Sequence, residues 1–168
     1  MEHNHKNTGE PKNSYLPLII IFGLITLVAV GSGFSIKSGF DSHLFMRVFM
    51  AGFFLVFGGF KLMDLRGFKD GYQTYDLLAQ KLPSYGYIYP FLELALGFAY
   101  VLDISPNTVN FLTIYLMGFS SFGVIQALIK KQKFTCACLG TILKVPLTKI
   151  TLVEDLLMVT MAVAMLFW

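Results

Sequence analysis

The chain has two cysteines, Cys136 and Cys138, and they stand one residue apart in the run Lys133-Phe134-Thr135-Cys136-Ala137-Cys138-Leu139-Gly140. Two thiols at that spacing can close a small, strained ring, and strained disulfides are more oxidising and more labile than structural ones. Lys130, Lys131 and Lys133 lie just before the pair. Nearby positive charge favours thiolate over thiol, which is the reactive form. Thiolates also grip soft ions such as monovalent copper or zinc. Two chemistries therefore stay open for Cys136 and Cys138: redox cycling, or binding of a soft metal ion. The plain alternative is two small apolar side chains at a helix end, which is the common habit of free cysteine.

Charged residues inside apolar runs are the next candidates. Glu93 lies within an otherwise uncharged stretch, where an acid costs roughly 2.5–3.5 kcal/mol to insert. It needs a partner or a wet cavity. Pro90, three residues earlier, removes an amide and frees a helical carbonyl nearby. Lys61 ends another apolar run, where it could snorkel to the interface or pair with Glu93. Glu154 and Asp155 stand near the start of the last run. Thr151-Leu152-Val153-Glu154 matches a capping box, so at least one of these two acids is expected to cap a helix. A pair between Glu154 and Lys61 is the sharper reading. His3, His5 and His43 could ligate a metal, but a short polar tail is more often solvated. Met158, Met161 and Met165, at helical spacing, read as packing.

These groups need a frame, and the composition names it. Of 168 residues, 55% are hydrophobic and 14% charged, against about 25% charged in an ordinary soluble domain. The mean hydropathy is +0.66. Five apolar stretches approach the roughly 20 residues that cross a hydrocarbon core: Tyr15–Phe34, Leu44–Met63, Tyr85–Leu102, Val109–Ile129 and Ile150–Trp168. Backbone in lipid must satisfy itself, so each is expected to be a helix. The fold class is all-α, a polytopic transmembrane bundle. The first stretch resembles a cleaved leader in its basic start, but its length favours a retained span. Residues 1–14 form a polar tail. Asp64 to Ser84 is too polar to span. Its Phe68, Tyr72, Tyr75, Leu78 and Leu82 recur at helical spacing, which predicts a short helix on the membrane surface.

Lysine and arginine set the expected orientation. Eleven fall on one side: Lys6 and Lys12, then Lys61, Arg66, Lys69 and Lys81, then Lys130, Lys131, Lys133, Lys144 and Lys149. Two, Lys37 and Arg47, fall on the other. The tail and the cysteine loop are therefore expected in the cytoplasm, where thiols are kept reduced. A standing disulfide is disfavoured there, while a transient bridge or a metal is not. In an alternating bundle Lys61, Glu93, Glu154 and the cysteines share one leaflet half. The lipid bilayer is the expected surrounding. No phosphate loop, paired CxxC or aromatic-basic pattern speaks for nucleotide, structural zinc or nucleic acid.

Arg47 with Gly58-Gly59-Phe60-Lys61-Leu62, and Tyr89-Pro90-Phe91-Leu92-Glu93-Leu94-Ala95-Leu96-Gly97, resemble the DoxX-type pattern. Cys136-Ala137-Cys138-Leu139-Gly140, with a helix opening after Pro146, resembles the CxCxG signature of the MauE branch. Ala137 and Leu139 stand where that branch more usually has glycine and phenylalanine. The resemblance covers Leu44 to Trp168. It implies a four-helix redox-associated membrane domain at 44–168, preceded here by one additional transmembrane helix at 15–34, in the bacterial inner membrane. MauE-type proteins are linked to maturation of methylamine dehydrogenase through disulfide formation. DoxX-type proteins include the small membrane subunit of a thiosulfate:quinone oxidoreductase. Cys136 and Cys138 are then the catalytic pair, with Lys61, Glu93 and Glu154 shaping a supporting pocket. A quinone is the implied electron acceptor and a protein the implied redox partner, since one cysteine pair needs an outside acceptor. Soft-metal handling and a non-catalytic membrane anchor subunit are the competing functions.

Overall fold

Each apolar stretch of the chain can meet its own backbone hydrogen bonds only by coiling, and each does. A computed structural model of the chain describes residues 16–35, 39–74, 76–129, 135–136, 145–146 and 149–167. In chain order the helices are α1 (Leu16–Gly33), α2 (Ser42–Met63), α3 (Leu65–Tyr72), α4 (Leu77–Lys81), α5 (Tyr85–Val101), α6 (Pro106–Ile129) and α7 (Lys149–Phe167). The molecule is an all-α membrane bundle. By length and composition α1, α2 and α6 suffice to cross a bilayer. Helix α5, with 17 residues, lies at the short end of the spanning range.

Local sequence explains where the helices start. Asp41 caps α2 by accepting from the Leu44 amide, Asp64 caps α3 through Gly67, and Asp76 caps α4 through Leu78 and Ala79. Each carboxylate satisfies amides that the first turn leaves unpaired. Two antiparallel ladders of two residues each pair β1 (Phe34–Ser35) with β2 (Gly39–Phe40), and β3 (Thr135–Cys136) with β4 (Val145–Pro146). Gly39 takes φ +80° in the first of these, a left-handed conformation suited to glycine.

The helices pack as two groups. Helix α2 makes its broadest contact with α5 and a second with α1, while α6 packs on α7. The α2–α5 contact is close because glycines line it. A Cβ on Gly97 would stand 2.9 Å from Leu55 Cγ and 3.1 Å from the Leu55 backbone nitrogen, and one on Gly58 3.1 Å from Leu94. Contacts between the groups, α5 with α6 and α2 with α7, are sparse. That seam is where the polar side chains collect.

Two expectations are corrected. The segment from Asp64 to Ser84 is two short helices, broken between Tyr72 and Asp76. Phe68 and Tyr72 of α3 are buried against α5, whereas Leu78 and Leu82 are exposed. Tyr75 lies outside the described residues. The stripe that looked like a membrane-facing surface is half a protein contact, because Tyr89 offers α3 an aromatic partner. The capping box at Thr151 is also overturned. Helix α7 opens at Lys149, so Thr151 is already inside it and Glu154 and Asp155 fall in its second turn, facing the seam.

Candidate functional site: a charged cavity in the seam

Helix α2 delivers Lys61 to the seam from its last turn, two residues before its end, and α5 delivers Glu93 one turn beyond Pro90. The Lys61 ammonium binds Glu93 Oε1 in a buried ion pair. Rings surround the ammonium: its Nζ lies 5.1 Å from the centre of Tyr89 and 5.5 Å from that of Phe68. Aromatic faces attract a cation, the more so when it is desolvated. Tyr72 completes the box, its ring centre 4.7 Å from Tyr89 and 5.0 Å from Phe68.

Helix α7 brings two further acids. Glu154 and Asp155 are 7% and 8% exposed, against 6% for Lys61 and 1% for Glu93, so four ionisable groups share a nearly dry space. They line one cavity with Phe53, Phe57, Phe68, Tyr72, Tyr89, Ser120 and Val124. Ser120, on α6, interacts with both Tyr89 and Asp155. Glu154 has a second exposure. It is also a wall of an apolar groove of about 850 Å³ between α1 and α7, lined by Leu18, Phe22, Leu27 and Val153 among others.

Of the candidates named from sequence, the structure brings Lys61, Glu93 and Glu154 around this cavity. Cys138 lies outside the described residues, as do His3 and His5, and of Cys136 the backbone alone is described. That backbone belongs to β3, where it pairs with Val145, and β3 lies against α3. Met158, Met161 and Met165 are buried in the core, as packing requires. Sequence reasoning missed Tyr89, Ser120 and the inward aim of Asp155. Outside the spans, Lys69 on α3 sits 2.7 Å from Asp70. The hydrogen bond that Lys69 donates to the Asp70 carboxylate holds its ammonium above its usual pKa.

At the other end of the seam the chemistry is neutral. The Tyr100 hydroxyl on α5 donates to Asn110 Oδ1 at 2.8 Å and lies 2.9 Å from Thr113 Oγ1, both on α6. Near it, Arg47 pairs with Asp103 at the protein surface.

A family model described as Methylamine utilisation protein MauE matches residues 40–168. Helix α1 precedes the matched region. No curated protein and no solved structure matches the chain.

Proposed function

The chain belongs to the MauE family, and from that premise we propose that this methylamine-utilisation-related membrane protein is a thiol-redox component that forms disulfides for a partner protein. Cys136 and Cys138 carry the exchange. A partner thiolate attacks the Cys136–Cys138 disulfide and forms a mixed disulfide, and the partner's second thiolate then displaces the remaining bond. The partner gains one S–S bond, and the pair here becomes a dithiol. A lipid-soluble quinone reoxidises the dithiol, taking up its two electrons and two protons to become the quinol. The basic run Lys130, Lys131 and Lys133 favours thiolate at the pair. In the cytoplasmic orientation that the lysine distribution favours, the oxidised pair is transient.

One juxtaposition supports this reading above the others. The strand that holds Cys136 lies against α3, and α3 supplies Phe68 and Tyr72 to the cavity of Lys61 and Glu93. The backbone at Cys136 thus neighbours the short helix that lines the charged cavity, within a family whose printed description is methylamine utilisation.

The test is to trap thiols with an alkylating reagent in cells grown under oxidising and reducing conditions, then weigh the peptide by mass spectrometry. Cycling gives different dithiol fractions in the two states, and Cys138→Ser, which cannot form the internal bridge, loses that difference. An unchanged thiol state of the unaltered chain in both conditions would remove the proposal. The same reagents applied to intact cells and inverted vesicles report the side of the membrane.

A further inference from the structure

Lys61 from α2, Glu93 from α5, and Glu154 and Asp155 from α7 converge on the seam cavity, with Tyr72 from α3, Tyr89 from α5 and Ser120 from α6 completing its polar walls. One of the ionisable groups is a cation and three are acids. Lys61 is bound by one oxygen of Glu93. The other oxygen, Glu93 Oε2, and Asp155 Oδ2 are buried with no hydrogen-bond partner among the described residues. Buried carboxyl oxygens without partners are uncommon, and these two belong to different helices bordering one cavity. The cavity measures about 20 Å³. A single water needs about 10–15 Å³ and two to four polar neighbours, and this cavity supplies both.

We infer that the seam cavity is a proton-exchange site, in which one enclosed water joins Glu93 on α5 to Asp155 on α7 and Glu154 opens the pair toward the groove between α1 and α7. A carboxyl O–H gives its proton to the water, and the water hands one of its own to the opposite carboxylate. Two O–H bonds break and two form, the water is regenerated, and no electron moves. Lys61 keeps a fixed positive charge beside the path. Net charge is costly in lipid, and one ammonium balances one carboxylate, so the remaining acids of the cluster reach balance only with protons on them. Glu154 borders both cavity and groove, which makes it the group through which the proton count changes. None of this depends on Cys136 or Cys138.

Infrared spectroscopy of the full chain in lipid nanodiscs tests the assignment, with D2O as the probe. At neutral pH the protein should show protonated-carboxyl C=O absorbance that moves to lower frequency on transfer to D2O. Asp155→Asn and Glu93→Gln should each remove part of it. Glu154→Gln should slow the shift. Asp103→Asn, at the opposite end, should leave band and rate unchanged. The inference falls if the unaltered protein has no such absorbance, if the band never moves in D2O, or if all three cavity variants match the unaltered chain. Far-ultraviolet dichroism identifies any variant that does not fold, and Glu154→Gln, which keeps the Lys61–Glu93 pair, then decides on exchange rate alone.

Discussion

The two ends of the seam solve one problem in opposite ways. Helices α5 and α6 must be joined across a sparse contact. At the Tyr100 end the join is neutral: one hydroxyl spans to Asn110 and Thr113, and the ion pair nearby, Arg47 with Asp103, is solvated. At the Glu93 end, α7 adds two carboxyls to an ion pair that is already buried, and two carboxyl oxygens have no hydrogen-bond partner among the described residues. A neutral clasp fastens helices cheaply. A charged cluster in lipid costs stability, and its persistence marks where the molecule does something besides hold together.

Lys61→Met should do the most damage. Removing one partner of a buried pair costs about 3–5 kcal/mol, because the other charge is left without compensation. Thermal unfolding in detergent, followed by dichroism, should fall sharply or show no folded protein. Lys61→Met combined with Glu93→Leu should recover much of the loss, since an apolar replacement of the whole pair is often neutral. Arg47→Ala, at the solvated pair, should cost less than about 1 kcal/mol. If the two single variants prove equal, the contrast between the ends is wrong.

Gly97→Ala comes next. Its Cβ would press on the Leu55 backbone, and overpacking of that kind costs about 1–3 kcal/mol. Gly59 lies on the same α2 with open space where a Cβ would go. Gly59→Ala should be neutral or gain up to about 1 kcal/mol from helix propensity. The comparison tests whether the α2–α5 contact is as tight as the space at Gly97 implies. Tyr100→Phe should cost a further step less, about 0.6–1.7 kcal/mol, the range measured for hydrogen bonds between membrane helices. A much larger loss would mean that the neutral clasp carries more than fastening.

The same contrast decides what a reader of the sequence could see. Lys61 and Glu93 stood out because a charge inside an apolar run has no cheap explanation, and an alternating bundle places both near one face. Asp155 did not stand out. Whether an acid caps a helix or lies on its wall depends on where that helix begins. With the start read at Thr151 rather than Lys149, Glu154 and Asp155 became caps. Phe68 and Tyr72 failed similarly. Their spacing says that they share a face, but whether that face meets lipid or protein is settled by Tyr89 on another helix. The long helices themselves were plain, because each apolar run is bounded by polar residues. The cysteines announce their chemistry by type and spacing, while Cys138 lies outside the described residues.

The smallest expected effect tests whether charge near the cavity matters by itself or only when buried. Lys69, half-buried, and exposed Asp70 form a pair at the surface of α3, with the Lys69 ammonium also 5.6 Å from the Tyr87 ring centre. Asp70 raises the lysine above its ordinary value of 10.5. A lysine whose folded value is raised stabilises the fold below its unfolded value, and that help is lost as pH climbs through the folded one. The gap in unfolding midpoint between the unaltered chain and Lys69→Met should therefore be small, level through neutral pH, and vanish in strong alkali. Methionine keeps the stem that packs beside Gly86, so the charge alone is removed. Raising salt to about 1 M should shrink the gap, because the Debye length falls to about 3 Å. The deficit of Lys61→Met should survive the same salt, since ions cannot enter the seam. A Lys61→Met deficit that faded with salt as the Lys69→Met gap does would mean that the cavity is open to solvent, and the charged end of the seam would then differ from the surface in degree only.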